Sequence, residues 1–161
     1  MHHNACGVLG GTIANALTQI ILSRVAFVVL VGCVGWLIYT HSLFGTGPIT
    51  IAVQVAAALL MLWARVIFGM RSFHASANPT EGGLVTSGPY RWLRHPIYAA
   101  IFWFVWAGVA AHPSIDAAGT AALATVMLAV RVASEEKLLT QRYPEYADYA
   151  QHTSRLLPFL F

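Results

Sequence analysis

The chain has 161 residues, of which 58% are hydrophobic and only 9% charged, and it carries a net charge of +3. Soluble domains draw about a quarter of their residues from the charged types, so a water-facing surface cannot be built from this composition. The apolar residues also fall in blocks long enough to cross about 30 Å of hydrocarbon, which predicts an all-α integral membrane protein forming one domain over residues 1–161.

Residues 5–23 are apolar but carry an uncharged polar stripe, Thr12, Asn15, Gln19 and Ser23, at helical spacing. They predict a fifth, amino-terminal membrane helix, and a crossing there would leave the amino terminus outside. The stretch lacks a basic start and a small-residue cleavage site, so it is not read as a signal peptide. Four clearer spans follow. Residues 25–43 contain no Lys, Arg, Asp or Glu and end at the turn-like Gly45-Thr46-Gly47-Pro48. Residues 49–68 carry one charge, Arg65, about 9 Å past the midpoint, where its long side chain can snorkel to the interface. Residues 97–111 are shorter than the roughly seventeen that a span needs, unless neighbouring residues or the interface add length. Residues 115–133 follow after only His112-Pro113-Ser114, so the last two spans form a hairpin.

All nine Lys and Arg flank the same ends of these spans, so the loop 70–96 and the tail 134–161 face the cytoplasm. Basic residues placed this way follow the rule for membrane orientation and are not a nucleic-acid footprint; anionic lipid headgroups are their natural neighbours. Cys6 and Cys33 form no CxxC pair, and no zinc or other metal pattern is present.

The scarce polar residues concentrate in 71–98 and 131–155. Gly and Pro between Asn78 and Tyr90 predict a loop with tight turns. Pro96 suits the first turn of the third span, which places His95 at a helix start beside free backbone N–H groups, a position that favours an anion. From position alone, Arg91, Arg94 and His95 also suit headgroup anchoring. Arg131 and Glu135 are one helical turn apart, and Glu136 adds a second carboxylate at the membrane edge. Tyr146 and Tyr149 would share one face of an amphipathic tail helix.

Several of these segments occur in a recognisable order: Leu84-Val85-Thr86-Ser87-Gly88-Pro89-Tyr90-Arg91, Arg94-His95-Pro96-Ile97-Tyr98, Glu135-Glu136, Glu145-Tyr146-Ala147-Asp148-Tyr149 and Arg155-Leu156-Leu157-Pro158. From about residue 80 onward the chain resembles the isoprenylcysteine carboxyl methyltransferase family and the related phospholipid N-methyltransferases. The resemblance implies a cytoplasm-facing pocket for S-adenosylmethionine, closed by loop and tail, with a lipid-like or prenylated acceptor entering from the bilayer. It implies that Leu93, Arg94, His95, Pro96, Tyr98, Glu135, Glu136, Tyr146 and Tyr149 bind the cofactor and that Arg131 and Glu135 are catalytic. Ala100 and Pro144 stand where the family usually has Gly. An isoprenylcysteine carboxylate is the favoured acceptor. The alternatives are an amine or phospholipid headgroup, a sterol-type reduction with NADPH, and a non-catalytic scaffold. The reductase word would have Asn at position 97 and a Glu soon after, and this chain has neither.

Overall fold

The computed structural model describes residues 3–69 and 84–156, with side chains from Asn15 onward. The expectations for Arg71 and for Asn78 to Gly83 lie outside the described residues. In order come α1 (His3–Tyr39), α2 (Pro48–Phe68), a 3-10 turn (Gly88–Arg91), α3 (Pro96–Ala111), α4 (Ile115–Arg142) and α5 (Tyr146–Gln151). Three helices are long and apolar enough to cross a membrane: Asn15–Tyr39 of α1, α2 and α4. The chain is thus a multi-pass membrane protein. With 16 residues, α3 is about 24 Å long and falls short of spanning length.

The expected break between an amino-terminal helix and a first span is absent: α1 runs unbroken for 37 residues, about 55 Å. Arg24 falls between the two expected segments, but a charge does not interrupt helical hydrogen bonding, and no Pro stands in this helix. The buried positions Ser23, Ala26, Leu30, Cys33 and Leu37 recur at three- and four-residue spacing. Asn15 and Gln19 precede them in the same phase. The polar stripe and the apolar stripe are therefore one helix face.

That face packs antiparallel on α4. Leu37 meets Ala117 and Ala121 at one end; Leu30 and Cys33 meet Ala124, Leu128 and Val132 farther along; the Ser23 carbonyl accepts from Arg131 at 3.0 Å. In hydrocarbon, close contact across small residues and interhelical hydrogen bonds hold helices together where water cannot drive them, and the alanines of α4 permit that approach. The Trp106 indole donates to the Thr125 hydroxyl at 3.0 Å, joining α3 to α4.

Local chemistry fixes the helix ends. Thr50 caps the start of α2, its hydroxyl 2.9 Å from the Gly47 carbonyl and 3.2 Å from the Gly47 N–H. The Ser114 hydroxyl accepts from the Ala117 N–H and starts α4. At that end of the bundle Gln54 donates to the carbonyls of Leu43 (2.7 Å) and Phe104 (3.0 Å) and accepts from Gly45 N–H (2.9 Å). It ties the first loop to α2 and α3. The opposite end gathers the carboxyl end of α2, the 3-10 turn, the start of α3, the polar end of α4 and the tail. Every Lys and Arg among the described residues lies on that side or beyond it.

Candidate functional site

The site starts from a turn that favours glycine. Gly88 has φ +61°, and a Cβ there would come within 2.7 Å of Ile67 Cγ1, so the 3-10 turn sits directly on the end of α2. Within it, Pro89 and Tyr90 are buried. The following residues pair with the tail: Ser154 N–H donates to the Trp92 carbonyl (3.0 Å), Arg94 N–H to Ser154 (2.7 Å) and His95 N–H to Arg155 (3.1 Å). The Tyr149 hydroxyl donates to the Tyr90 carbonyl at 2.6 Å, and the Arg94 guanidinium donates to the Ala150 carbonyl. The tail is thus strapped across the entrance of α3.

The backbone N–H groups of Arg94 and His95, just before the first turn of α3, donate to carbonyls of the tail. Beside them at the helix start lies a side-chain cluster.

That cluster joins α3, α4 and the tail. Arg131, 4% exposed, donates from Nε to the Tyr98 hydroxyl (3.1 Å), reaches Glu135 Oε1 at 3.6 Å, and lies over the rings of Phe27 and Tyr98. Tyr98 in turn donates to the Glu135 carboxylate. His95 stacks on Tyr98 with 5.7 Å between ring centroids, and its nitrogens lie 3.6 Å from Glu135 Oε2 and 3.5 Å from Glu136 Oε1. Glu136 also faces Arg94 Nε at 3.2 Å and Arg155 Nε at 3.0 Å. Each carboxylate is therefore shared between cations.

The cluster is dry except at its acids. His95 and Arg131 are buried, while the Glu135 and Glu136 side chains keep 22% and 16% of their surface. Burial opposes a charge on His95, yet the two carboxylates outweigh it and hold its pKa above the ordinary value. Burial, with Glu136 beside it, pushes the Tyr146 hydroxyl well up; burial alone in the main raises Tyr149 to about 12.

Of the residues singled out in the sequence, the structure gathers Arg94, His95, Tyr98, Arg131, Glu135 and Glu136 into one cluster, with Tyr146 against Glu136. Tyr146 and Tyr149 are neighbours, 6.0 Å between ring centroids, but the Tyr149 hydroxyl secures the strap. Leu93 is buried and pairs with the tail through its backbone, and Pro96 is buried at the first turn of α3. Sequence reasoning missed the Ser23 carbonyl and the Phe27 ring as partners of Arg131, although Ser23 lies on the polar stripe. Among the described residues, no group of three or more His, Cys, Asp or Glu is placed to hold a metal ion.

The chain is 40% identical over 78 residues to the nickel-cobalt-cadmium resistance protein NccN of Alcaligenes xylosoxydans xylosoxydans, a stretch covering 48% of this chain and 37% of that protein. It is 35% identical over 78 residues to the cobalt-zinc-cadmium resistance protein CzcN of Cupriavidus metallidurans, covering 48% and 36%. The match spans little more than a third of each relative. No solved structure matches significantly. The model of one family matches residues 49–141, which hold His95, Tyr98, Arg131, Glu135 and Glu136 but not the tail. The chain belongs to the isoprenylcysteine carboxyl methyltransferase family.

Proposed function

We propose that this protein is a membrane methyltransferase that uses S-adenosylmethionine to methylate a lipid-like acceptor, with the carboxylate of an isoprenylcysteine-type molecule as the favoured target. The observation that carries this reading is the Tyr98, Arg131, Glu135, His95 and Glu136 cluster, placed within the family-matched region at the basic end of the bundle. By the positive-inside rule that end faces the cytoplasm, where the cofactor is made available.

The donor set fits the cofactor. Two partly exposed carboxylates match its positive groups, while Arg94 and Arg155 match its carboxylate. Tyr146, Leu93 and Pro96 would shape the walls, and Tyr149 would hold the covering tail. When bound, S-adenosylmethionine supplies a methyl group on a sulfonium, and its transfer needs positioning more than acid–base help. Glu135 would face the reacting end. Arg131 would act through Glu135 and Tyr98, holding both in place.

Family membership supports a carboxylate acceptor. The carboxylates of Glu135 and Glu136 favour the charged form of His95. A carboxylate arrives ionised and requires no base, whereas an amine acceptor would have to lose a proton to Glu135 or Glu136. The two relatives are named for resistance to nickel, cobalt, cadmium and zinc, and we carry that over only as a setting in which a methylated membrane component would act.

Transfer of labelled methyl from S-adenosylmethionine by detergent-solubilised protein tests the reading. N-acetyl-S-farnesylcysteine should give an alkali-labile methyl ester, and phosphatidylethanolamine should give no alkali-stable product. A folded protein that shows no heat of binding with the cofactor, or that responds to NADPH instead, contradicts it.

A further inference from the structure

Two of the contacts that hold Arg131 come from a helix outside the family match. Residues 49–141 contain its partners Tyr98 and Glu135, whereas Ser23 and Phe27 belong to α1. Ser23 and Phe27 are four residues apart, so they stand one turn from each other on the same side of that helix. From there the Ser23 carbonyl accepts from Arg131 Nη1 at 3.0 Å, and the centroid of the Phe27 ring lies 5.1 Å from the guanidinium carbon. Ser23 is fully buried and Arg131 is 4% exposed, while Phe27 is 37% exposed. The ring therefore forms the outer edge of the niche that holds the guanidinium.

The contact of Arg131 with Glu135 is loose by comparison. Nε donates to the Tyr98 hydroxyl at 3.1 Å, but Nη2 stands 3.6 Å from Glu135 Oε1, too far for a good N–H···O bond. An ionic contact at that distance attracts without fixing the plane of the group. A guanidinium is a rigid planar fork, so its tilt decides which acceptors its N–H bonds can meet. An aromatic face within about 6 Å attracts the cation and restrains that tilt, more strongly where water is excluded. An aliphatic side chain at position 27 would cover Arg131 but would offer no such attraction.

We propose that Phe27 is a positioning residue for methyl transfer: with the Ser23 carbonyl it sets the tilt of Arg131, which in turn holds the Tyr98 hydroxyl and the Glu135 carboxylate in their working arrangement. The proposal rests on the reading that Glu135 faces the reacting end of S-adenosylmethionine. Phe27 acts only through Arg131 and touches neither reactant. In this role α1 is more than a packing partner of α4, because it supplies two of the contacts that orient the site.

The test replaces Phe27, in the full chain in detergent, by phenylalanines carrying one, two or three ring fluorines. These keep the shape of the ring while draining negative charge from its face. One readout needs no activity: the exchange with water of the Arg131 Nε–H, followed by NMR on protein with nitrogen-15-labelled arginine and assigned by its loss in Arg131→Lys. Exchange should quicken with each fluorine, and kcat for methylation of N-acetyl-S-farnesylcysteine should fall in step, while calorimetric affinity for S-adenosylmethionine stays that of the wild type. Phe27→Leu should lower kcat by about threefold to thirtyfold, the span that a contact between a cation and a ring supports. Exchange and kcat that stay level across the fluorine series overturn the proposal even where Phe27→Leu is impaired, since they assign Phe27 to packing alone. Quickened exchange with a level kcat also overturns it, because the tilt of Arg131 would then not matter to the reaction. A wild type that neither binds S-adenosylmethionine nor transfers methyl overturns the methyltransferase reading, and quickened exchange in that protein leaves the hold of Phe27 on Arg131 standing.

Discussion

The Tyr98 hydroxyl donates to the Glu135 carboxylate while accepting from Arg131 Nε at 3.1 Å, so one phenol oxygen connects the start of α3 to the polar end of α4. Arg131 also reaches the Ser23 carbonyl of α1, which makes the three helices converge on a single guanidinium. Each of these groups is short of water, and each depends on the others for its hydrogen bonds.

Tyr98→Phe keeps the ring over which Arg131 lies and removes only the oxygen. It should lower stability by about 1–3 kcal/mol, the cost of leaving a buried donor unmet, and should reduce methyl transfer more than cofactor binding. Thermal unfolding followed by tryptophan fluorescence, alongside calorimetry, checks this. An unchanged midpoint would mean that the hydroxyl is not structurally engaged.

The strap makes a separate prediction. Tyr149→Phe removes the bond to the Tyr90 carbonyl and should cost about 0.5–1.5 kcal/mol of local stability. Arg155→Ala breaks a half-exposed ion pair with Glu136 and should cost about 1 kcal/mol or less. Hydrogen exchange should accelerate at Arg94, His95 and Ser154 in both variants, with the helical core unchanged. Protection lost equally across α4 would show that the tail is part of the core and not a strap.

His95 gives the cluster a pH dependence. Its folded pKa lies above the ordinary 6.5, so the charged form stabilises the fold fully below pH 6.5, and that contribution is lost as pH rises through the elevated value. Stability should therefore decline on the alkaline side of 6.5. His95→Gln should flatten this part of the profile. A wild-type midpoint that rises across the same interval would contradict the assignment of His95 as a cation between Glu135 and Glu136.

At the far end of the bundle, Gln54→Leu strips the Leu43 and Phe104 carbonyls and the Gly45 N–H of a shared partner and should destabilise by about 1–3 kcal/mol or more. Gly108→Ala should act on the same unit, because a Cβ would fall 2.1 Å from the Leu43 carbonyl oxygen. Both variants should keep their affinity for S-adenosylmethionine once folded, as measured by calorimetry. Loss of affinity with an unchanged melting temperature would mean that this end of the bundle communicates with the polar cluster.

Much of the candidate site is legible in the sequence because side chains carry it: Arg94, His95 and Tyr98 in one segment, and Arg131, Glu135 and Glu136 one turn apart in another. Block length likewise exposes α2 and α4. The unbroken α1 is harder to see, since Arg24 suggests a boundary to a reader who weighs charge, while the phase from Asn15 to Leu37 passes through it. The strap leaves little trace, because Leu93 and Ser154 pair through backbone atoms that no residue type announces. The Ser23 carbonyl is silent for the same reason. Gln54 did carry a signal, a lone amide in a largely apolar block, and its role as a staple needed the fold to bring Leu43 and Phe104 to it.

The central claim is that the Tyr98, Arg131 and Glu135 cluster serves S-adenosylmethionine-dependent methyl transfer. Calorimetric titration of the cofactor into wild-type and Glu135→Gln protein in the same detergent tests it most directly, with matched folding confirmed by circular dichroism. The account predicts saturable binding by the wild type and affinity weakened about tenfold or more in the variant, since a charge-assisted contact contributes about 1.5–3 kcal/mol. Equal affinity in the two proteins, or no binding by either, would contradict it.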